Sequence, residues 1–120
     1  MKIIALCMGA CIGALFRCLI MEIFAYFYIG SNIALLFVNS FGCFVSGIVL
    51  SLEILDKTVL SFFIFAGFLS SFTTFSSFIL QLYSYVVAIE SLNAITFLVM
   101  SIFYGFLLFA LGVKIGTVIK

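Results

Sequence analysis

The feature that most constrains this chain is the distribution of its few charges. Only 8% of the 120 residues are charged, and they cluster so that charge-free runs cover residues 3–16, 23–52, 58–89 and 91–113. Three of these runs exceed the ~20 residues a helix needs to cross a hydrocarbon core. The first is shorter, but it continues past Arg17 to Met21 and can also span. With 68% hydrophobic residues, a soluble domain of this size could not hide its apolar surface, because small folds bury too small a fraction of it. The solvent is therefore lipid, and no loop is long enough to hold a soluble domain. A net charge of +1 leaves neither a basic patch for nucleic acid nor an acidic tail.

Lys2 and the apolar stretch after it resemble the start of a secretory signal. No small-x-small cleavage site followed by polar sequence is present, so residues 3–28 read as a retained helix. Cys7, Cys11, Cys18 and Cys43 form no C-x-x-C pair, and there is no histidine to complete a soft metal site. They read as small apolar packing residues.

The expected architecture is all-α: one membrane domain over residues 1–120 with helices at about 3–28, 32–52, 58–89 and 94–113. A short turn at Gly30-Ser31-Asn32 makes the first two antiparallel. The next polar breaks are Glu53–Lys57 and Glu90–Asn93. The third element is too long for one straight crossing at ~1.5 Å per residue. Its middle, Ser70-Ser71-Phe72-Thr73-Thr74-Phe75-Ser76-Ser77-Phe78, carries six hydroxyls in nine residues. Either those hydroxyls bond back to earlier carbonyls of a continuous helix, or the helix is broken there, which membrane depth tolerates only beside protein or a wet cavity. Both readings point the segment inward. With four crossings, Lys2, Lys57, Lys114 and Lys120 share one side and no cation lies on the other, Arg17 being inside the first helix. The excess of lysine predicts cytoplasmic termini.

Arg17 is either a fixed charge drawing anions into a vestibule or a residue paired to Glu22 or snorkelling to the interface. Glu22 reads as interfacial, although a membrane carboxylate can serve proton coupling. Asn39 can join helices or turn its N–H donors to an anion. Gly9 with Gly13, and Gly42 with Gly47, mark close helix approach. Phe75 and Phe78 are helical neighbours set among Thr73, Thr74, Ser76 and Ser77. Ring edges carry partial positive charge, and with hydroxyl donors they can replace part of an anion's hydration shell.

Together these residues resemble the Fluc (CrcB) fluoride channel family over nearly the whole chain. Gly9-Ala10-Cys11-Ile12-Gly13-Ala14-Leu15-Phe16-Arg17 looks like its glycine-rich stretch ending in arginine. Val38-Asn39-Ser40-Phe41-Gly42-Cys43-Phe44 looks like its V-N-x-x-G-x-F signature. Residues 67–78 look like its G-F-x-G-G-x-T-T-F-S-T-F signature. The resemblance implies an antiparallel (inverted) dimer of four-helix subunits, each with its third helix broken. It implies fluoride pores lined by Asn39, Phe75, Phe78, Ser76 and Ser77, with Arg17 in the vestibule. It further implies a central structural Na+ held by the backbone carbonyls of Ser70 and Thr73 and their counterparts.

Four positions depart from the family pattern: Ser70-Ser71 for Gly-Gly, Ala34-Leu35 for Gly-Thr, Ser77 for threonine and Gln81 for glutamate. The four-to-zero lysine bias also departs from what a chain inserted in both orientations needs. It points to one half of a heterodimer of homologous subunits with opposite fixed topologies, in place of a homodimer. The expected function is passive fluoride exit across a bacterial cytoplasmic membrane, which makes or breaks no bond and so is not an enzyme's. Two other classes are a proton-coupled small multidrug transporter, which would need a buried carboxylate such as Glu22, and a non-conducting partner subunit.

Overall fold

The computed structural model describes residues 1–52 and 59–119. The expected break at Glu53–Lys57, and Lys120, lie outside the described residues. Five helical elements follow one another: α1 (Lys2–Tyr26), α2 (Ser31–Ser51), α3 (residues 59–72), α4 (Phe75–Val87) and α5 (Ser91–Ile119). Within α3 the stretch Phe62–Leu69 is wound as a π-helix between short α-helical turns. Lys2–Tyr26, Ser31–Ser51, Val59–Val87 and Ser91–Ile119 are each long and apolar enough to cross a membrane.

Two tight helix pairs make the bundle: α1 lies on α3, and α2 lies on α5. Both contacts form where glycine lets backbones touch. A methyl group built on Gly9 would strike the Phe63 carbonyl, and one on Gly67 would lie 2.5 Å from the Leu6 carbonyl. A methyl on Gly47 would strike the Phe109 carbonyl, and one on Gly112 the Phe44 carbonyl. In lipid, helices gain nothing by hiding apolar surface from one another, so dispersion at short range and interhelical hydrogen bonds hold them. Ser71 supplies one such bond, its Oγ donating to the Ala10 carbonyl at 2.7 Å. The small interior lies between the pairs, where Val38, Leu35 and Phe72 are almost fully buried. Outward faces stay apolar, as in Phe103, Phe106 and Ile102 of α5. A contiguous apolar surface of that kind marks contact with lipid or with another protein.

The turns after α1 and α4 share one geometry. Tyr28 N–H donates to Ala25 and Ile29 N–H to Phe24; likewise Ile89 N–H donates to Val86 and Glu90 N–H to Tyr85. These reverse bonds satisfy the last carbonyls of each helix and place the residue past the helix end in the left-handed region. That residue is Tyr28 (φ 56) and Ile89 (φ 61), where glycine would be at ease and β-branched isoleucine is strained.

Four expected boundaries need correction, one of them the end of the third element, which falls at Val87 and not at 89 because the left-handed Ile89 cannot continue the helix. The first helix stops at Tyr26 and not at 28, because the left-handed Tyr28 cannot continue it. The last helix runs from Ser91 to Ile119 and not from 94 to 113. A single lysine does not end a helix whose Gly116 still packs on the Ser51 side chain and Ile48 carbonyl of α2, and the Lys114 side chain is exposed at the bundle end.

Gly112→Ala and Gly105→Ala make the same chemical change on one helix. The first drives a methyl into the Phe44 carbonyl, whereas the second meets only Cys43 Sγ at 3.6 Å. Overpacking of this kind costs about 1–3 kcal/mol. Thermal unfolding in detergent should show a clearly lowered midpoint for Gly112→Ala and an unchanged one for Gly105→Ala.

Candidate functional site

The helical path changes at Thr73 and Thr74, whose backbones are extended (φ −86, ψ 150 and φ −145, ψ 116). In a continuous helix the Thr74 N–H would donate to the Ser70 carbonyl. Here it donates to Asn39 Oδ1 at 3.0 Å. Asn39 Nδ2 in turn donates to the Thr74 carbonyl at 3.5 Å. One carboxamide of α2 thus serves both backbone groups of the residue between α3 and α4. The Thr74 side chain then starts α4: its Oγ1 accepts from Ser77 N–H at 3.3 Å and lies 3.0 Å from Ser76 Oγ and 3.2 Å from Ser77 Oγ. This is an N-cap, the usual way of satisfying a first-turn amide.

Two cavities meet at Thr74. The first, of ≈ 330 Å³, is bounded by Arg17, Ser31, Thr74, Ser77, Gln81 and Ser84, with Leu35 among its apolar walls. Among the described residues Arg17 forms no ion pair and Glu22 lies exposed elsewhere on α1. The guanidinium therefore faces only neutral groups. Gln81 bridges two of them, accepting from Ser31 Oγ and donating to Ser84 Oγ, each at 3.3 Å. The second cavity, an open groove of ≈ 360 Å³, has Asn39, Thr73, Thr74, Phe75, Phe78 and Ser101 in its lining. Phe75 and Phe78 have ring centroids 5.8 Å apart, and Phe78 stacks on Phe97 of α5 at 5.4 Å. Phe75 is 76% exposed and Ser76 is also exposed.

The proposed pore residues are thus divided by the fold. Asn39, Phe75 and Phe78 share the groove, while Ser77 shares the other cavity with Arg17, and Ser76 faces outward beside Thr74. Ser70 lies on the outer surface in ordinary right-handed helical conformation (φ −67, ψ −28), so its position asks for no glycine. Its carbonyl has lost the Thr74 N–H as a helical partner. Thr73 packs its methyl against Gly42, and its Oγ1 donates to the Leu69 carbonyl at 2.9 Å.

Sequence reasoning did not find Ser101, Ser46, Ser31 or Ser84. Ser101 and Ser46 line the groove and donate back to carbonyls of their own helices at 2.7 and 2.8 Å. An isolated serine in an apolar run is usually back-bonded in this way, so nothing in the sequence set these apart. Ser31 was placed in a turn, and its role depends on Gln81, fifty positions away.

These features define a multi-pass membrane protein whose interior presents hydroxyl and amide donors, aromatic edges and one unpaired cation. A family model described as CrcB-like protein, Camphor Resistance (CrcB), matches residues 4–113, and the chain belongs to that family. Among its relatives is a protein of Haemophilus ducreyi named fluoride-specific ion channel FluC, 31% identical over 116 residues that cover 97% of this chain and 92% of the relative. Another, from Prochlorococcus marinus and named fluoride-specific ion channel FluC 2, is 30% identical over 114 residues, covering 91% and 92%. A third, from Hydrogenovibrio crunogenus and named fluoride-specific ion channel FluC, is 31% identical over 121 residues, covering 97% and 91%.

Asn39→Leu keeps the side chain's bulk and removes both partners of the Thr74 backbone. An orphaned buried polar group costs about 1–3 kcal/mol. The unfolding midpoint in detergent should fall clearly; an unchanged midpoint would mean that water or a neighbouring group serves Thr74 equally well.

Proposed function

We propose that this chain builds a fluoride-conducting path through which cytoplasmic fluoride leaves passively, lowering its toxicity. The observation that carries the reading is the meeting of two cavities at Thr74, one holding an unpaired Arg17 and the other the Asn39–Phe75–Phe78 groove. A small anion resists dehydration, so its path must offer donors at close spacing. Hydroxyls of Ser76 and Ser77, an N–H of Asn39 and the edges of Phe75 and Phe78 supply them without full countercharge. Arg17 raises the local anion concentration and leaves passage to neutral groups. The membrane is that of a bacterial cytoplasm, with both termini inside. Glu22, the carboxylate that the proton-coupled reading relies on, borders neither cavity.

The path is incomplete in one chain, because Phe75, Ser76 and Ser70 face outward. We read the extended Thr73–Thr74 segment as the break of the third helix, apposed to its counterpart in an inverted dimer. The Ser70 and Thr73 carbonyls would together hold a structural Na+ there, shared with the second subunit. The freed Ser70 carbonyl on an exposed surface fits an oxygen-liking cation that one chain can only half surround. The lysine bias makes the second subunit a homologue of opposite topology; a reporter finding the C-terminus on both sides of the membrane would overturn that pairing.

Liposomes containing the chain, alone or with such a homologue, should release fluoride to an electrode while retaining chloride. Phe78→Leu should slow release by about tenfold, as loss of one anion contact of ~1.4 kcal/mol. Undiminished release with both Phe75 and Phe78 replaced would make this chain a non-conducting partner.

A further inference from the structure

A third cavity, of ≈ 250 Å³, lies farther along the same seam of α2, α4 and α5. Its polar lining is Asn32, Tyr85, Asn93 and Thr96, with Phe97 and Leu36 on the inner side. No group in this lining carries a charge. The three helices arrive in matched order: α2 starts here, α4 ends here and α5 starts here. Each helix carries one partner deeper in the groove. Asn32 is followed by Asn39, Tyr85 is preceded by Phe78, and Asn93 is followed by Ser101, each about two helical turns or ~11 Å away. The seam thus bears two polar tiers with an apolar step of Leu36 and Phe97 between them.

Phe97 joins the tiers. It is 7% exposed, stacks on Phe78 at 5.4 Å and meets Tyr85 at 6.0 Å with rings inclined at 60°. The series Phe75, Phe78, Phe97, Tyr85 is therefore a continuous run of neighbouring rings from Thr74 to the outer end of the bundle. At the rim stands Glu90, whose carboxylate accepts from Asn93 Nδ2 at 2.8 Å. It is held there by the strained turn at Ile89, whose φ is 61, and by the bond from Glu90 N–H to the Tyr85 carbonyl.

We propose that this outer tier is a second, cation-free station for the same small hydrated anion, with Phe97 passing the ion to and from the Asn39–Phe78–Ser101 groove. The inference rests on the anion-channel reading above. Neutral donors suit a mouth from which an ion must depart, since a fixed cation there would retain it. Tyr85 and Thr96 hydroxyls, the Asn32 amide and the remaining N–H of Asn93 are the donors. Glu90 opposes occupancy by its charge and by taking one Asn93 N–H, so it limits how much anion the mouth holds.

The test is fluoride efflux from liposomes in whichever preparation conducts, the chain alone or paired. Tyr85→Phe with Thr96→Val removes two hydroxyls and little volume, and should slow efflux by at least about tenfold, since each hydrogen bond lost to a charged group is worth about that factor. Glu90→Gln should speed efflux severalfold at low ionic strength and lose that gain at high salt, as an exposed charge is screened. A salt-dependent gain cannot come from misfolding. The station stands only if both results appear. Either variant matching a conducting wild type overturns it and leaves the channel reading in place, whereas no efflux from the wild type in either preparation removes the channel reading itself.

Discussion

The interaction on which the rest of this structure depends is the pair of hydrogen bonds between the Asn39 carboxamide and the backbone of Thr74. Within a bilayer an unserved N–H or carbonyl costs several kcal/mol, so chain that leaves the helix is stable only where another group stands in for the missing helical partner. Asn39 does so with a side chain that offers an acceptor and donors from one planar group. Because the helix is released there, the Ser70 carbonyl is freed, the Thr74 side chain can cap α4, and Phe75 and Phe78 enter the groove on a new helical phase.

The glycines act earlier in the same chain of causes. Gly9 and Gly67 let α1 touch α3, and Gly47 and Gly112 let α2 touch α5, in each case with backbone atoms at the closest approach. These pairings fix α1 against α3 and α2 against α5. Gly42 is part of the same constraint, since any side chain there would displace the Thr73 methyl. The π-wound stretch Phe62–Leu69 carries Gly67 and faces Gly9 and Gly13. Wider winding is common where a helix must adjust its phase to a neighbour or a site.

Much of this was legible from residue order alone. Four crossings followed from charge-free length. Six hydroxyls in nine residues pointed the third element inward, but within one chain Ser70, Phe75 and Ser76 of that segment are exposed, because no neighbouring helix of the same chain covers them. Asn39, Phe75 and Phe78 were singled out by residue type and setting, and they share one groove. Two matters were not legible. Helix ends were misjudged at Tyr28 and beyond Lys114, because a left-handed tyrosine and a glycine contact late in α5 are tertiary decisions that local composition does not encode. The grouping of Ser31, Ser84 and Ser101 was hidden for a similar reason. A lone serine has the same local signature whether it bonds its own helix or faces a cavity, and only the packing of α2, α4 and α5 separates the cases.

The distribution of charge argues for passage over storage. Among the described residues Arg17 is the one charged group in the lining of the three cavities, and it stands at one of them. The groove beyond Thr74 offers only hydroxyls, an amide and ring edges. Each such contact is individually weak, and the Ser101 and Ser46 hydroxyls are already engaged by carbonyls of their own helices. On the proposed path each hydroxyl would exchange one hydrogen bond for another, which lowers the net gain of binding. A lining of this kind would present an anion with a series of shallow wells, which is what conduction at useful rates requires. The neutral Gln81, spanning Ser31 and Ser84, puts no carboxylate beside Arg17.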